Sequence, residues 1–267
     1  MNNLKNITTE VTKIARETGD YLRNERRNFQ QSKVEEKHNH DYVSYVDKQS
    51  EMMLVEALKK IPINAGFITE EKTAKYQDEE YCWIIDPLDG TTNFIHDYLP
   101  FAISIGLKHG DEIIIGVVYE ITKDECFYAW KNGGSYLNGN AITVNTTNTF
   151  DKALLCIELP YDHKKYKDFG VSIINQLYGY IGGIRMNGSA ATALCYVAAG
   201  RLDGWMEKFI GQWDIAAGTL IVSEAGGKVT DFNGNSQYIY GDNIVATNTI
   251  IHQELLNVIS ENEDKLI

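Results

Sequence analysis

Residues 83–94 read WIIDPLDGTTNF and decide the fold, because they join an apolar run to a tight acidic turn and to the start of a helix. The first three residues predict a short buried strand. Pro87 disfavours the α region for Asp86, and Gly90 permits conformations that other residues avoid. The stretch therefore predicts a shaped, charged loop at the carboxyl end of a strand.

Asp86 and Asp89 lie three residues apart on this loop, where their mutual repulsion is tolerable only with a cation between them. Hard oxygen ligands without Cys or His favour Mg²⁺, and the Leu88 carbonyl is a further candidate ligand. Residues 90–92 predict a helix start whose amides would receive a phosphate. Asp-Pro-x-Asp-Gly is equally typical of a structural type I turn, so this stretch alone leaves both interpretations open.

The pattern around this loop predicts an α+β fold that ends as a layered α/β structure, with helix and sheet layers alternating. Apolar spacing predicts a helix over residues 4–28 and a second one that Asp47 begins as N-cap. Residues 30–41 between them are polar, and we expect a mobile connection. From residue 101 three strands predict an antiparallel meander, and Asn138-Gly139 predicts a hairpin. After residue 150 strands and helices alternate.

Composition limits the function classes. The formal net charge of −12 opposes general binding to nucleic acid or to an anionic membrane. The first residues show no long apolar run, so we expect a cytoplasmic protein. The four cysteines are far apart in apolar surroundings, which favours buried thiols over disulfides or zinc ligands.

Four segments together resemble the inositol monophosphatase family of lithium-sensitive, magnesium-dependent phosphatases. WIIDPLDGTTNF and residues 213–227, WDIAAGTLIVSEAGG, resemble its two signatures, while residues 67–71, FITEE, and 41–47, DYVSYVD, resemble its upstream acidic segments. The resemblance implies a cytoplasmic, homodimeric enzyme that hydrolyses a small polyol phosphomonoester, with inositol monophosphate as the first candidate. The change of pattern near residue 150 predicts a metal-binding α+β half over residues 1–147 and an α/β half over 148–267, and we expect the active site between them.

The resemblance also implies roles for individual residues. Two or three Mg²⁺ ions would be held by Glu70, Asp86, the Leu88 carbonyl, Asp89 and Asp214, with Asp47 near the weakest site. Glu70, Thr91 and Asp86 would be catalytic, activating a water without a covalent intermediate. The substrate would contact Asp89, Gly90, Thr91, Gly188, Ser189, Glu207 and Asp214. Taken singly, Asp214 is more typical of a helix N-cap and Glu70 of a solvated loop, and only the four acidic segments in family order favour the metal site.

Three alternatives remain. Haloacid dehalogenase phosphatases also follow an apolar strand with Asp-Gly-Thr, but they need two aspartates two residues apart, whereas Asp86 and Asp89 are three apart. Related metal-dependent phosphatases acting on fructose 1,6-bisphosphate, NADP or phosphoadenosine phosphate share the Asp-Pro-x-Asp-Gly core. A protein of another class would bind metal or a polyol phosphate without catalysis.

Overall fold

A seven-stranded and a five-stranded sheet alternate with three layers of helices, and a further pair of strands forms a two-stranded sheet. The computed structural model describes residues 2–29, 34–38, 41–159 and 163–265. The helices there are α1 (Asn2–Arg27), α2 (Tyr45–Leu58), α3 (Thr91–His96), α4 (His163–Leu177), α5 (Ala190–Ala198), α6 (Gln212–Glu224) and α7 (His252–Ser260). The strands are β1 (Val34–His38), β2 (Asp41–Ser44), β3 (Ala65–Thr69), β4 (Tyr81–Asp89), β5 (Ala102–His109), β6 (Glu112–Glu120), β7 (Glu125–Trp130), β8 (Ser135–Leu137), β9 (Asn140–Ile142), β10 (Leu154–Ile157), β11 (Gly183–Arg185), β12 (Gly204–Lys208), β13 (Lys228–Thr230) and β14 (Asn243–Thr247).

The larger sheet has seven strands in the order β3-β4-β5-β6-β7-β8-β9. Only β3 and β4 run parallel; every later pair is antiparallel. The predicted meander is confirmed as β5, β6 and β7. The predicted Asn138-Gly139 turn joins β8 to β9, and both residues have the positive φ that a tight hairpin turn requires.

The smaller sheet has five strands in the order β11-β10-β12-β14-β13. Strand β10 is parallel to β11 and β12, whereas β14 is antiparallel to β12 and β13. The predicted alternation of strands and helices after residue 150 is confirmed. Strand β13 was not predicted, because its three residues carry little apolar periodicity.

The helices cover these sheets in a fixed order of layers, which confirms the predicted layered α+β fold. Helices α1 and α2 share an apolar core with one face of the larger sheet. Helices α5 and α6 fill the space between the two sheets, and α4 and α7 cover the outer face of the smaller one. Helix α6 approaches closely, since a Cβ on Gly116 of β6 would lie 2.4 Å from the Ala217 carbonyl oxygen.

One local prediction is wrong. Asp47 is not the N-cap of α2: Ser44 holds that position, its hydroxyl accepting from the Val46 N–H, and Asp47 is the third helical residue, accepting from the Ser44 N–H in a capping box. The polar connection contains strand β1, paired antiparallel with β2. The rest of that connection, residues 30–33 and 39–40, lies outside the described residues.

The proposed division at residue 147 falls in an irregular stretch, residues 143–149, that leads from the larger sheet to the smaller one. The core between the sheets contains side chains from both sides of that stretch, such as Val118 and Phe127 packed with Ile215 and Ile221. The two halves stay a prediction. Within the described ranges, no helix has the length and apolar character needed to cross a bilayer.

Candidate active site

A cavity of about 420 Å³ opens at the carboxyl end of β4. The ends of β3, β10 and β12 and the first turns of α3, α5 and α6 meet there. Every predicted site residue except Asp47 lines it: Glu70, Asp86, Leu88, Asp89, Gly90, Thr91, Gly188, Ser189, Glu207 and Asp214. The structure therefore brings together residues that lie more than a hundred positions apart in the sequence.

Three aspartates form an acidic cluster in this cavity. One carboxylate oxygen from each of Asp86, Asp89 and Asp214 lies within 4.8 Å of the others. Burial raises the pKa of Asp86 well above its usual value, and repulsion from Glu70 and the other two aspartates adds to the effect. Burial and the charge of Asp214 raise the pKa of Asp89 to about 7. Such a cluster fits a cation, and its hard oxygen donors fit Mg²⁺.

Glu70 reaches the cluster through parallel strand pairing. Thr69 of β3 is in register with Ile85 of β4, and the Glu70 N–H donates to the Ile85 carbonyl at 3.2 Å. Glu70 and Asp86 therefore leave neighbouring parallel strands at the same edge of the sheet. The Leu88 N–H donates to Asp86 Oδ1 at 2.8 Å, which fixes that carboxylate above the loop.

Asp89 is bound by the first turn of α5, a helix from the second part of the chain. The Ser189 hydroxyl donates to Asp89 Oδ2, and the N–H groups of Ala190 and Ala191 donate to its two oxygens at 3.2 and 2.9 Å. Asp214 is fixed similarly at the start of α6, where its Oδ2 accepts from the Gly211 N–H at 2.8 Å. It is the third residue of α6 and not its N-cap.

Gly90 allows the two parts of the chain to approach at the cavity. Its φ of 88° lies in the left-handed region, and a Cβ there would lie 3.1 Å from the carbonyl oxygens of Gly188 and Pro100. The Phe94 N–H donates to the Gly90 carbonyl at 2.9 Å, which begins α3 as predicted. The amides of Gly90 and Thr91 precede that first helical hydrogen bond.

Asp47 lies behind the cavity. Its Oδ2 accepts from the N–H and the hydroxyl of Ser44 at 2.9 and 2.7 Å, and its Oδ1 lies 3.0 Å from Thr91 Oγ1. Only 1% of Asp47 is exposed. The role of Asp47 near a metal ion stays a prediction. In the structure its carboxylate contacts Ser44 and Thr91.

Asn93 and Glu158 also line the cavity, and the sequence interpretation assigned a role to neither. Asn93 Nδ2 donates to the carbonyls of Pro100 and Asn187, both at 2.8 Å, and so joins the two parts of the chain. Glu158 Oε1 accepts from the N–H groups of Asn187 and Gly188 at 2.6 and 2.9 Å. The only sequence signal for Glu158 was an acid directly after the apolar strand β10.

The charged side chains described in the lining of the cavity are all acidic. Burial and the nearby carboxylates of Glu158, Asp214 and Asp89 raise the pKa of Glu207 well above its usual value. Among the described residues that line the cavity, none is Lys, Arg or His. The described lining therefore offers no side-chain cation to a negatively charged ligand.

Comparison with known proteins gives one family. Residues 3–264 match the sequence model of the inositol monophosphatase family. The Nus factor SuhB of Escherichia coli is 36% identical over 258 residues, 96% of this chain and 97% of that protein. The inositol-1-monophosphatase of Mesorhizobium japonicum is 35% identical over 83% of this chain and 84% of its own length. The IMPase structure of Thermotoga maritima superposes with a TM-score of 0.89 at 31% identity and covers all of both chains.

Proposed function

Because the chain belongs to the inositol monophosphatase family, we propose that it is a Mg²⁺-dependent phosphatase that hydrolyses a small polyol phosphomonoester. Inositol monophosphate is the first substrate to test. The observation that carries the proposal is the convergence of Asp86, Asp89 and Asp214 within 4.8 Å on one wall of the cavity. We further propose a lithium-sensitive, cytoplasmic homodimer, as the resemblance implies.

The metal ligands we propose are Glu70, Asp86, the Leu88 carbonyl, Asp89 and Asp214, holding two or three ions, with Asp47 near the third. Bound Mg²⁺ would supply an activated water and neutralise charge on the phosphoryl group. The ligands come from the residue that follows β3, from the end of β4 and from the first turn of α6. Hydrogen bonds from the Ser189 hydroxyl and the Ala191 N–H orient the Asp89 carboxylate before a metal ion binds.

Thr91 is proposed to orient the attacking water. Its hydroxyl lies 3.0 Å from both Asp47 Oδ1 and the Leu88 carbonyl oxygen. A hydroxyl has a single proton, so when Thr91 donates it to either acceptor its lone pairs are available to accept from a water in the cavity. Glu70 faces the same cavity and is the proposed acceptor of the water proton. No covalent intermediate is needed.

The phosphate and the alcohol are proposed to occupy neighbouring parts of the cavity. Phosphate oxygens would lie against the amides of Gly90 and Thr91, where donors are in place before charge develops. The alcohol would contact Glu207, Asp214 and the Gly188-Ser189 segment. A carboxylate such as Glu207 accepts hydrogen bonds from hydroxyl groups, which suits a polyol.

A binding protein without catalysis is the second candidate function. The observation that favours it is that the Escherichia coli relative is named a Nus factor and not an enzyme. If the protein is a phosphatase, the alternative substrates are fructose 1,6-bisphosphate, NADP and phosphoadenosine phosphate.

Phosphate release from inositol 1-phosphate, fructose 1,6-bisphosphate, NADP and phosphoadenosine phosphate, each with Mg²⁺, tests the proposal. We expect inositol 1-phosphate to be hydrolysed fastest and Asp89→Asn to abolish release while the protein stays folded by circular dichroism. Activity confined to phosphoadenosine phosphate would refute the substrate, and no release from any ester would favour the binding protein. Label from heavy-oxygen water on an aspartate of the enzyme would refute direct attack by water.

A further inference from the structure

Glu158 and Glu207 lie side by side at the end of the cavity that the smaller sheet forms. Strands β10 and β12 are parallel, with Ile157 in register with Met206, and the Glu158 N–H donates to the Met206 carbonyl at 3.2 Å. The two glutamates therefore leave neighbouring strands at the same edge of the smaller sheet. This repeats in the smaller sheet the arrangement that brings Glu70 and Asp86 together in the larger one.

Glu158 has one oxygen committed to the fold and one available. All of its protein hydrogen bonds, from Asn187 N–H, Gly188 N–H and the Cys156 thiol, end on Oε1. Within the described part of the chain, Oε2 of Glu158 and both oxygens of Glu207 accept no hydrogen bond from the protein. Both residues line the cavity, and these oxygens are therefore the candidate acceptors for a ligand.

No described cation offsets this pair. Lys208 follows Glu207 but contacts the Asp242 carboxylate at 3.1 Å and lies over the Phe209 ring. Arg185 is exposed and donates to the carbonyl of Ile184. Burial raises the pKa of Glu158 and of Glu207, and the charges of Asp214 and Asp89 add to the effect at Glu207. Bound Mg²⁺ would neutralise these aspartates and remove their contribution, which favours ionised glutamates facing the alcohol.

We propose that Glu158 is a specificity-determining residue, which together with Glu207 accepts hydrogen bonds from the hydroxyls of the leaving alcohol and excludes alcohols that carry a second phosphate or a carboxylate. This inference rests on the proposed phosphatase function. An additional anion at this end of the cavity would meet two carboxylates in partly dehydrated surroundings, where like-charge repulsion is several times stronger than in bulk water.

The test uses two substrates that share one ring, inositol 1-phosphate and inositol 1,4-bisphosphate. Glu158→Gln removes the charge but keeps an amide oxygen that can accept from Asn187 and Gly188. We expect it to raise the ratio of kcat/KM for the bisphosphate to kcat/KM for the monophosphate by about tenfold or more. The exposed residue Glu254 on α7 gives the matched control, because Glu254→Gln removes the same charge outside the cavity and should leave the ratio unchanged.

An unchanged ratio in Glu158→Gln, within about twofold, would overturn the proposal. So would loss of activity in Glu158→Ala together with a wild-type ratio in Glu158→Gln, because Glu158 would then only support the turn at residues 187–188. If the unsubstituted protein hydrolyses neither ester, the proposed phosphatase function is refuted. Calorimetry then measures the binding of the bisphosphate in the presence of Mg²⁺ to the unsubstituted protein and to Glu158→Gln. Tighter binding to Glu158→Gln than to the unsubstituted protein supports selection, and equal binding refutes it.

Discussion

The carboxylate of Asp47 lies 3.0 Å from the hydroxyl of Thr91. Thr91 lines the cavity, whereas Asp47 lies behind its wall. Asp47 is itself fixed by two hydrogen bonds from Ser44, at the N-cap of α2. The start of α2 thus orients a side chain at the start of α3. The orientation of Thr91 depends on a residue that has no surface in the cavity.

Replacing the Thr91 hydroxyl should lower kcat. Thr91→Val keeps the shape of the side chain but removes the group that would orient the water, so we expect kcat for inositol 1-phosphate to fall about 100-fold or more with a much smaller change in KM. Thr91→Ser keeps the hydroxyl and is the matched control, expected to stay within about tenfold of the unsubstituted protein. Activity in Thr91→Val close to that of the unsubstituted protein, or a loss in Thr91→Ser as large as the loss in Thr91→Val, would contradict a specific role of the hydroxyl.

The aspartate cluster should make the metal-free protein less stable as pH rises. The pKa values of Asp86 and Asp89 are raised in the folded state, so the folded protein holds protons that the unfolded chain releases above about 3.8. In EDTA the free energy of unfolding should therefore fall as pH rises from about 4 to 7, by about 3 kcal/mol from Asp89 alone, and Asp86 should add to the fall.

Asp86→Asn should remove much of this pH dependence, because the amide cannot ionise while its oxygen still accepts from the Leu88 N–H. Thermal melting in EDTA is expected to give a higher Tm for the variant than for the unsubstituted protein near neutral pH, and a shrinking difference toward acid pH. Addition of Mg²⁺ should raise the Tm of the unsubstituted protein only. A variant that melts lower than the unsubstituted protein at every pH would contradict the proposed repulsion.

His252 should make the opposite contribution. It is buried between two threonines, with Nδ1 and Nε2 each 2.9 Å from a hydroxyl oxygen, of Thr247 and Thr230. Thr230 donates its proton to the Asp231 carbonyl, so Nε2 carries the ring proton and Nδ1 accepts. Burial, with a smaller effect of Lys228, lowers the pKa of His252 from 6.5 to about 4.

Because the folded pKa of His252 is depressed, its stabilising contribution is complete above about 6.5 and is lost as pH falls toward 4. The loss amounts to about 3 kcal/mol. Urea unfolding of the unsubstituted protein and of His252→Gln should give free energies that converge on acidification. His109→Gln, at a more exposed site, is the control. A constant difference across this pH range would mean that His252 does not titrate as proposed.

Gly116→Ala should loosen the contact between α6 and the larger sheet. The added Cβ would lie 2.4 Å from the Ala217 carbonyl oxygen, a backbone atom that cannot move alone, so we expect a loss of about 2 kcal/mol. Gly106→Ala provides the comparison, since its Cβ would meet the Ala216 methyl at 3.1 Å and should cost less. Denaturant unfolding measures both; a larger loss at Gly106 would be inconsistent with this geometry.

The fold class and most of the candidate site were predictable because local patterns carry them. The strand that ends in Asp86, the meander and the signature beginning at Trp213 each show in a short window. The N-cap of α2 was wrongly predicted because Ser44 and Asp47 are both good capping residues, and the sequence does not reveal that the backbone of Ser44 is still extended.

Glu158 was missed for a different reason. Its neighbour Glu207 is distant in the sequence, and only the order of strands in the smaller sheet brings β10 beside β12. Strand order depends on how the helices pack between the sheets, which no short window of sequence contains. The same holds for the hydrogen bonds from Asn93 to Pro100 and Asn187.

The core between the sheets has a consequence for how this protein can be divided. Val118 and Phe127 of the larger sheet are buried by α5 and α6, which follow the proposed boundary at residue 147. Fragments cut there would each expose a large apolar face. We expect each fragment to aggregate when it is alone, and the two fragments to form the native core when they are refolded together. Because Asp214 and the helix that binds Asp89 both belong to the second fragment, we expect the aspartate cluster to form only when the whole chain folds in one cooperative transition.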